Sequence, residues 1–457
     1  MSDLKEVKNL AEEHIKCLED DNLDKIARET FFVQRSTNKV SGRDFLELMT
    51  VDHFGQISIS LEGLCDMLRE KSSHADISPQ ALSEKINSDH AVAFLEKVLE
   101  GIYKNQLRPK LEKIPLEVLK LFSNVYLQDS TQIALNEHLS EEFSGVGGSA
   151  SKSALKIDLL YEAINHVLKE VTITEGTYAD QKNGAKVVSH IQEGDLIIRD
   201  LGYFDLSVLE SIEDKKAYYL SRLFKSVNVY LSCESHAEPI DLTSYVRNRI
   251  ADSGFMDMKV YLGKERVGCR LITYRVPEEL INERRRKARR SAQKKGRTLT
   301  QEYLEWLDYS FYITNVVAEI WSPEIVGTIY RIRWQIELIF KQWKQLFQID
   351  VMQGTRSERI RCLLYGRLIM INIVTQIYAL SAWYCSGTLG REVSAVKLIQ
   401  WLQRKGRICQ TIVKGKVSTL IEELANSLPK GLLKQKRHRR TTFGLINEQI
   451  GFLESFS

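Results

Sequence analysis

Proline is scarce in this chain, 7 in 457 residues, too few for a Pro-rich linker or stalk. Cysteine is equally sparse at 7, scattered at Cys17, Cys65, Cys233, Cys269, Cys362, Cys385 and Cys409 without a CxxC pair. That speaks against a disulfide framework and against a structural zinc site, and it points to a reducing cytosol. The 9 histidines form no HExxH or other paired spacing, so a zinc hydrolase has no support. Neither sign of charge dominates. Lys and Arg number 64 against 60 Asp and Glu, a net charge of +4. This is too mild to define a nucleic-acid-binding chain by itself, although local clusters still count. Long apolar runs are few. Met1 to Leu10 is charged and lacks the apolar stretch of a secretory leader. Leu363 to Trp383 is long enough to mimic a membrane span, but it contains Arg367, Asn372 and Gln376. It reads better as the buried helix of a large domain, with no membrane partner.

What is present is a globular composition, 43% hydrophobic and 27% charged, with length for roughly two to four domains. Up to about residue 110 the apolar residues recur at helical spacing, as in Leu61, Leu64, Met67 and Leu68, and in Ala91, Phe94, Leu95, Val98 and Leu99. Ser78 suits an N-cap and Pro79 the first helical position. Such short helices in succession fit a helix-turn-helix unit and any other helical bundle equally well. Near residue 120 the period changes. Asn124–Asp129 alternates as a strand, and a Gly/Ser-rich loop follows at 144–149. Residues 154–163 and 167–173 read as a hairpin about Asn165 and His166. A helix over 180–191, a buried strand over 196–200, a helix over 205–215 and a strand over 217–223 complete an α/β layer with a mixed sheet. Residues 225 to about 310 break this pattern with short strand-like runs and a basic block. From Pro323 the spacing predicts one long helix to about Phe347, then the apolar helix, then a basic, mostly helical tail.

Asp129 and Asp200 each end an apolar strand. Val125, Leu127 and Asp129 share a face, as do Leu196, Ile198 and Asp200. If the two strands are neighbours, the carboxylates converge and need a cation, which a hard divalent ion such as Mg²⁺ would supply. Taken singly, each reads more readily as a loop cap after a strand. On the long helix, Tyr330, Arg333, Glu337 and Lys344 fall in one stripe about 60° wide at about 100° per residue. The stripe borders a packed face made by Ile332, Ile336, Ile339, Trp343 and Leu346. The alternative is a solvated face carrying i,i+4 ion pairs.

Together these features resemble the DDE transposases of the bacterial insertion-sequence four family. The residues that carry the resemblance are Asp129-Ser-Thr, Asp200-Leu-Gly-Tyr-Phe and Tyr330-x2-Arg333-x3-Glu337-x6-Lys344. The last matches that family's YREK signature at every spacing, and the likeness covers roughly residues 25 to 385. It implies an RNase H-like mixed-sheet core, residues 116–224 and 318–385, interrupted by a β-rich insertion at 225–317. A helical DNA-binding region at 1–115 and a helical basic region at 386–457 would flank it. It implies Asp129, Asp200 and Glu337 as catalytic metal ligands holding two Mg²⁺ ions, with Mn²⁺ able to substitute, about 3.5–4 Å apart. Tyr330, Arg333 and Lys344 would hold the DNA backbone. The partners implied are double-stranded DNA, as inverted-repeat ends and as target, and a second copy in the synaptic complex, in the bacterial cytoplasm and on the nucleoid. The competing readings are a structure-specific nuclease on the same fold that does not join strands, and an inactive DNA-binding regulator.

The basic block Arg284-Arg285-Arg286-Lys287-Ala288-Arg289-Arg290 is a candidate grip on DNA phosphates, against the alternative of a solvated loop. Lys434, Lys436, Arg437, Arg439 and Arg440 form a second cluster, balanced between the same two readings. Relatives stack an aromatic from the insertion on a displaced base. Trp306 and Phe311 are candidates here, with Trp306 fitting a core position better. The stretch around Lys152-Ser153 hints at a P-loop. Val146 and Ser151 occupy its two glycine positions, however, and a strand follows instead of a helix, so no nucleotide site is expected.

Overall fold

The structure is a computed structural model. It describes residues 9, 11–13, 16–34, 39–54, 59–71, 75–106, 117–148, 150–250, 254–389, 391–405 and 417–434. The fold is mixed α/β. Its strands are β1 (Val125–Ala134), β2 (Ala154–Glu162), β3 (Val167–Glu175), β4 (Leu196–Arg199), β5 (Tyr218–Arg222), β6 (Val229–Tyr230), β7 (Phe255–Leu262), β8 (Val267–Arg275) and β9 (Tyr309–Thr314). They hydrogen-bond in the order β3-β2-β1-β4-β5-β9-β8-β7-β6. The first helices are α1 (Asp20–Glu29), α2 (Gly42–Met49), α3 (Leu61–Lys71), α4 (Pro79–Ile86) and α5 (Asp89–Lys104). Between the strands lie α6 (Asp180–Lys186), α7 (Leu206–Asp214), α8 (Leu242–Arg247), α9 (Glu278–Lys294) and α10 (Gln301–Trp306). After β9 come α11 (Pro323–Tyr330), α12 (Trp334–Phe347), α13 (Ser357–Thr388), α14 (Ala395–Arg404) and α15 (Val417–Ser427). The chain divides into two compact units, one from residues 1–113, 130–178 and 336–437, the other built on 114–129 and 179–335.

In the second unit β4 pairs in parallel with both β1 and β5. Every residue of β4 is buried, which fits the uninterrupted Leu196-Ile197-Ile198 run, since a strand covered on both faces has no reason to alternate. From β5 outward the pairing turns antiparallel, through β9, β8, β7 and β6. The strands of 225–317 therefore continue the sheet through β9. The same segment also contains the 17-residue helix α9. Fully buried Trp321 donates from Nε1 to the Val118 carbonyl at 3.2 Å, and its ring meets Phe122 at 5.3 Å. The Tyr274 hydroxyl donates to the Pro323 carbonyl and accepts the Gly327 N–H. These contacts anchor the start of α11.

The helix expected without a break from Pro323 to Phe347 is interrupted. Residues Arg331–Arg333 form a 3-10 turn between α11 and α12. Such a turn winds about 120° per residue instead of about 100°, so a regular-helix projection misplaces side chains across it. Of the core stripe expected there, Ile332, Ile336 and Trp343 are buried, while Ile339 and Leu346 are only partly so.

In the first unit Ser78 caps α4 by accepting the Ala81 N–H, with Pro79 at the first position, as the sequence predicts. Phe32, Phe45 and Phe94 form an aromatic core among α1, α2 and α5, with centroid separations of 4.7 and 4.9 Å from Phe32. The β2–β3 hairpin is antiparallel. Glu162 closes its turn by accepting the N–H groups of Ile164 and Asn165 at 3.0 and 2.6 Å. Among the described residues α13 is the one helix long and apolar enough to cross a membrane, and 89% of its apolar window is buried. It packs on α5: the Tyr365 hydroxyl meets Glu96 at 3.0 Å. Arg367, buried in the same helix, donates from Nη1 to the Val351 carbonyl at 2.6 Å.

Gly366 lies where α13 crosses the end of α2, and a methyl group there would run into the Met49 carbonyl. Inside a helix, Gly→Ala ordinarily stabilises by about 0.5–1 kcal/mol, whereas overpacking costs about 1–3 kcal/mol. Gly366→Ala is expected to lower stability by about 1–2 kcal/mol, read from the urea midpoint. A gain in stability would show that this helix crossing is loose.

Candidate active site

Strand register assembles the site. β1 and β4 pair from Val125↔Leu196 to Gln128↔Arg199. One residue further on each strand, Asp129 stands opposite Asp200, and matched positions on paired strands share a face. Gln128 and Arg199 point to the other face, where Gln128 Nε2 donates to Asn183 O at 3.4 Å and Arg199 Nη1 to Gly184 O at 3.1 Å. The row continues across the sheet. β4 pairs with β5 up to Ile198↔Leu220, which sets Asp200 beside Arg222, and Arg222 in turn pairs with Tyr312 of β9. Sequence reasoning missed Arg222. Its signal was a charged residue closing an apolar strand, as Asp129 and Asp200 do.

The cation demanded by the two carboxylates is present within the chain. Arg333 places Nη1 3.6 Å from Asp129 Oδ2 and Nε 3.7 Å from Asp200 Oδ1. Its side chain is 14% exposed, that of Asp129 20% and that of Asp200 43%, so the pair opens to solvent on the Asp200 side. Tyr330 is buried against Tyr312, ring centroids 5.1 Å apart. Its hydroxyl proton is shared between the Arg199 carbonyl at 3.3 Å and Asp200 Oδ1 at 3.4 Å. Burial, and then the Asp200 carboxylate, push this phenol well above its usual range, so it stays a donor.

Asp129, Asp200, Tyr330 and Arg333 are thus brought together in one unit. Glu337 lies in the first turn of α12, part of the other unit, and is half-buried. In that same unit the Lys344 ammonium donates to the Gln132 carbonyl on the second half of β1, at 3.4 Å. Among the described residues no three Asp, Glu, His or Cys side chains gather as a ready-made metal cage. The Asp129–Asp200 pair is nonetheless a fit place for a divalent ion. Its donors are hard oxygens, the ligands that such an ion takes.

The basic block is a helix, α9, and its cations divide into two groups. Arg284 is half-buried and donates to the carbonyls of Leu307 and Tyr309 and to Ser310 Oγ, at 3.3, 3.0 and 2.9 Å. Arg285 makes a forked contact with Asp308 at 2.7 and 2.8 Å. Both hold α9 to the start of β9. Lys287 is exposed and pairs with Glu283 one turn back, at 2.6 Å. Arg286, Arg289 and Arg290 are exposed as well. Among the described residues Arg289 and Arg290 make no hydrogen bond or ion pair. Phe311 is buried beneath Trp306, rings stacked at 4.0 Å. The Phe311 ring is therefore closed to a base, whereas Trp306 is partly exposed. Of the second basic cluster, only Lys434 lies within the described residues, where it pairs with Glu392.

Paired carboxylates at the ends of adjacent parallel strands, with cations beside them, suit phosphoryl transfer on a polyanion. Such an arrangement is compatible with a nucleic-acid-processing enzyme. The transposase DDE domain family matches residues 120–373, more than half of the chain, and the chain belongs to that family. It is a DNA transposase, an enzyme that cleaves DNA and transfers strands. The transposase for insertion sequence element IS231B of Bacillus thuringiensis subsp. berliner is 29% identical over 469 residues, covering 98% of this chain and 97% of that protein. The IS231D transposase of Bacillus thuringiensis subsp. finitimus is 30% identical, with 94% of each chain covered. The IS1151 transposase of Clostridium perfringens is 26% identical, covering 99% and 98%. Among solved structures, a piggyBac transposase synaptic complex with hairpin DNA aligns over 92% of this chain and 83% of that one at 10% identity. Its TM-score of 0.42 is too low to bear on the fold.

The two groups of cations on α9 should separate by mutation. Arg284→Ala is expected to cost about 1.5–3 kcal/mol of stability, since it removes hydrogen bonds from a charged donor. Arg289→Ala with Arg290→Ala should change stability by less than about 0.5 kcal/mol. The double variant should also flatten log K against log salt for DNA by about 0.9 for each phosphate it no longer neutralises. Urea unfolding and a salt series of DNA-binding curves measure the two effects. An unchanged slope would make α9 a solvated face.

Proposed function

We propose that Asp129, Asp200 and Glu337 are the metal ligands of this transposase, on an RNase H-like core of the insertion-sequence four type. The observation that carries the reading is the register of β1 on β4, which sets Asp129 beside Asp200 with a cation between them. Glu337 joins them on the spacing Tyr330-x2-Arg333-x3-Glu337-x6-Lys344. The donors are oxygens throughout, which favours Mg²⁺, with Mn²⁺ as a substitute and two ions as the working number. When bound, the ions supply positive charge for the entering and leaving oxygens of in-line displacement.

The chain's own residues then have separate tasks. Asp129 and Asp200 hold positive charge at the sheet edge. Tyr330, kept protonated by its burial, fixes Asp200 and can donate to a phosphate oxygen. Arg333 and Lys344 position the DNA backbone near the scissile bond, Arg with a planar fork and Lys as a point charge. Arg286, Lys287, Arg289 and Arg290 meet phosphates further along the duplex, while Arg284 and Arg285 hold their helix in place. Residues 1–115 flank the core as a helical DNA-binding region and 386–457 as a helical basic region, and 225–317 is the β-rich segment that interrupts it. The partners are double-stranded transposon ends and target DNA, with two copies of the chain in the synaptic complex in the bacterial cytoplasm.

Asp129→Asn, Asp200→Asn and Glu337→Gln should each reduce nicking and joining on the order of a thousandfold, the scale for losing one preorganised charge partner of a transition state. DNA-end binding, measured in parallel, should be largely kept. Near wild-type nicking by Asp200→Asn in Mg²⁺ would overturn the assignment.

A further inference from the structure

Arg333 stands in two roles that cannot be filled at once. The resemblance assigns it to DNA phosphate, yet the structure lodges its guanidinium against both Asp129 and Asp200. We infer that Arg333 is the resident cation of the acidic pair, a built-in competitor that must leave before a divalent ion can enter. The inference rests on the reading of that pair as the metal site, and it adds a control on the site that the reading does not contain.

Three observations support the exchange. First, a hard, doubly charged ion suits paired carboxylate oxygens better than a guanidinium does, and Asp200, 43% exposed, gives such an ion a route to them. Second, Arg333 closes the 3-10 turn Arg331–Arg333, and the turn is anchored by its neighbours. Ile332 is fully buried, and Tyr330 is buried and hydrogen-bonded at the site. The backbone can therefore stay in place while the long side chain swings. Third, a second resting place is close. The guanidinium carbon lies 5.8 Å from the centroid of the Tyr330 ring, within reach of a cation–π contact. An ion entering the pair thus releases Arg333 on the side that the DNA backbone is proposed to occupy. Metal loading and readiness for phosphate are coupled through one side chain.

Mn²⁺ binding to the full chain without DNA, read from the electron paramagnetic resonance of free Mn²⁺, tests the inference without any activity assay. An opposite charge within about 4–6 Å changes a carboxylate's proton affinity by one to three powers of ten. Arg333→Gln should therefore bind Mn²⁺ about tenfold tighter or more. Arg333→Lys, which keeps the charge, should stay close to wild type. Asp200→Asn is the control for the site itself. If it binds Mn²⁺ like wild type, the metal-site reading fails. If it loses binding while Arg333→Gln is unchanged or weaker, the site stands and the resident-cation role is refuted. Should Arg333→Gln not fold, the wild-type chain decides. Saturating Mn²⁺ should speed phenylglyoxal modification of Arg333 severalfold, followed by peptide mass spectrometry, and an unchanged or slower rate overturns the inference.

Discussion

Parallel pairing of β1 with β4 sets Asp129 beside Asp200, and two carboxylates held side by side repel unless a cation lies between them. The arrangement at the sheet edge answers to that requirement. Arg333 reaches in from the 3-10 turn between α11 and α12, Tyr330 donates toward Asp200, and Arg222 extends the row on β5. A slip of one residue between β1 and β4 would turn one aspartate to the opposite face of the sheet. The apolar runs Val125–Leu127 and Leu196–Ile198, buried and in register, therefore protect the facing of the two carboxylates as well as the core.

The elements that hold α11 and the turn after it in place are aromatic. Trp321 locks onto Val118 and Phe122, Tyr274 clasps the first turn of α11, and Tyr312 packs on Tyr330. Rigid, bulky groups suit this task because they bury a large area with few torsions to order. On α9 the basic residues serve different ends. Arg284 and Arg285 spend their charge on β9 and Asp308, so a count of positive charges overstates what the helix can offer a phosphate backbone.

Much of this was legible in sequence because it depends on local chemistry. Ser78 and Pro79 announce the start of α4, the buried run before Asp200 announces a covered strand, and the hairpin at Asn165–His166 follows from the alternation around it. The convergence of Asp129 and Asp200 was readable only as a condition, since strand neighbours are set by tertiary pairing. The interruption at Arg331–Arg333 was not readable at all. No proline or glycine marks it, and a regular helix predicts the same apolar spacing on either side. The resemblance gives Arg333 to the DNA backbone, and nothing in the sequence adds its place beside Asp129 and Asp200. Only the fold brings it within ion-pair distance of carboxylates that lie far from it in the chain.

The central claim is that the Asp129–Asp200 pair is a cation site whose occupant can be exchanged. Anomalous diffraction from crystals grown in Mn²⁺ tests it most directly. The account predicts a peak at about 2.1 Å from a carboxylate oxygen of each aspartate, the coordination distance of a small hard divalent ion, with the Arg333 guanidinium moved away. An empty pair with Arg333 still lodged between the two carboxylates at saturating Mn²⁺ would contradict it.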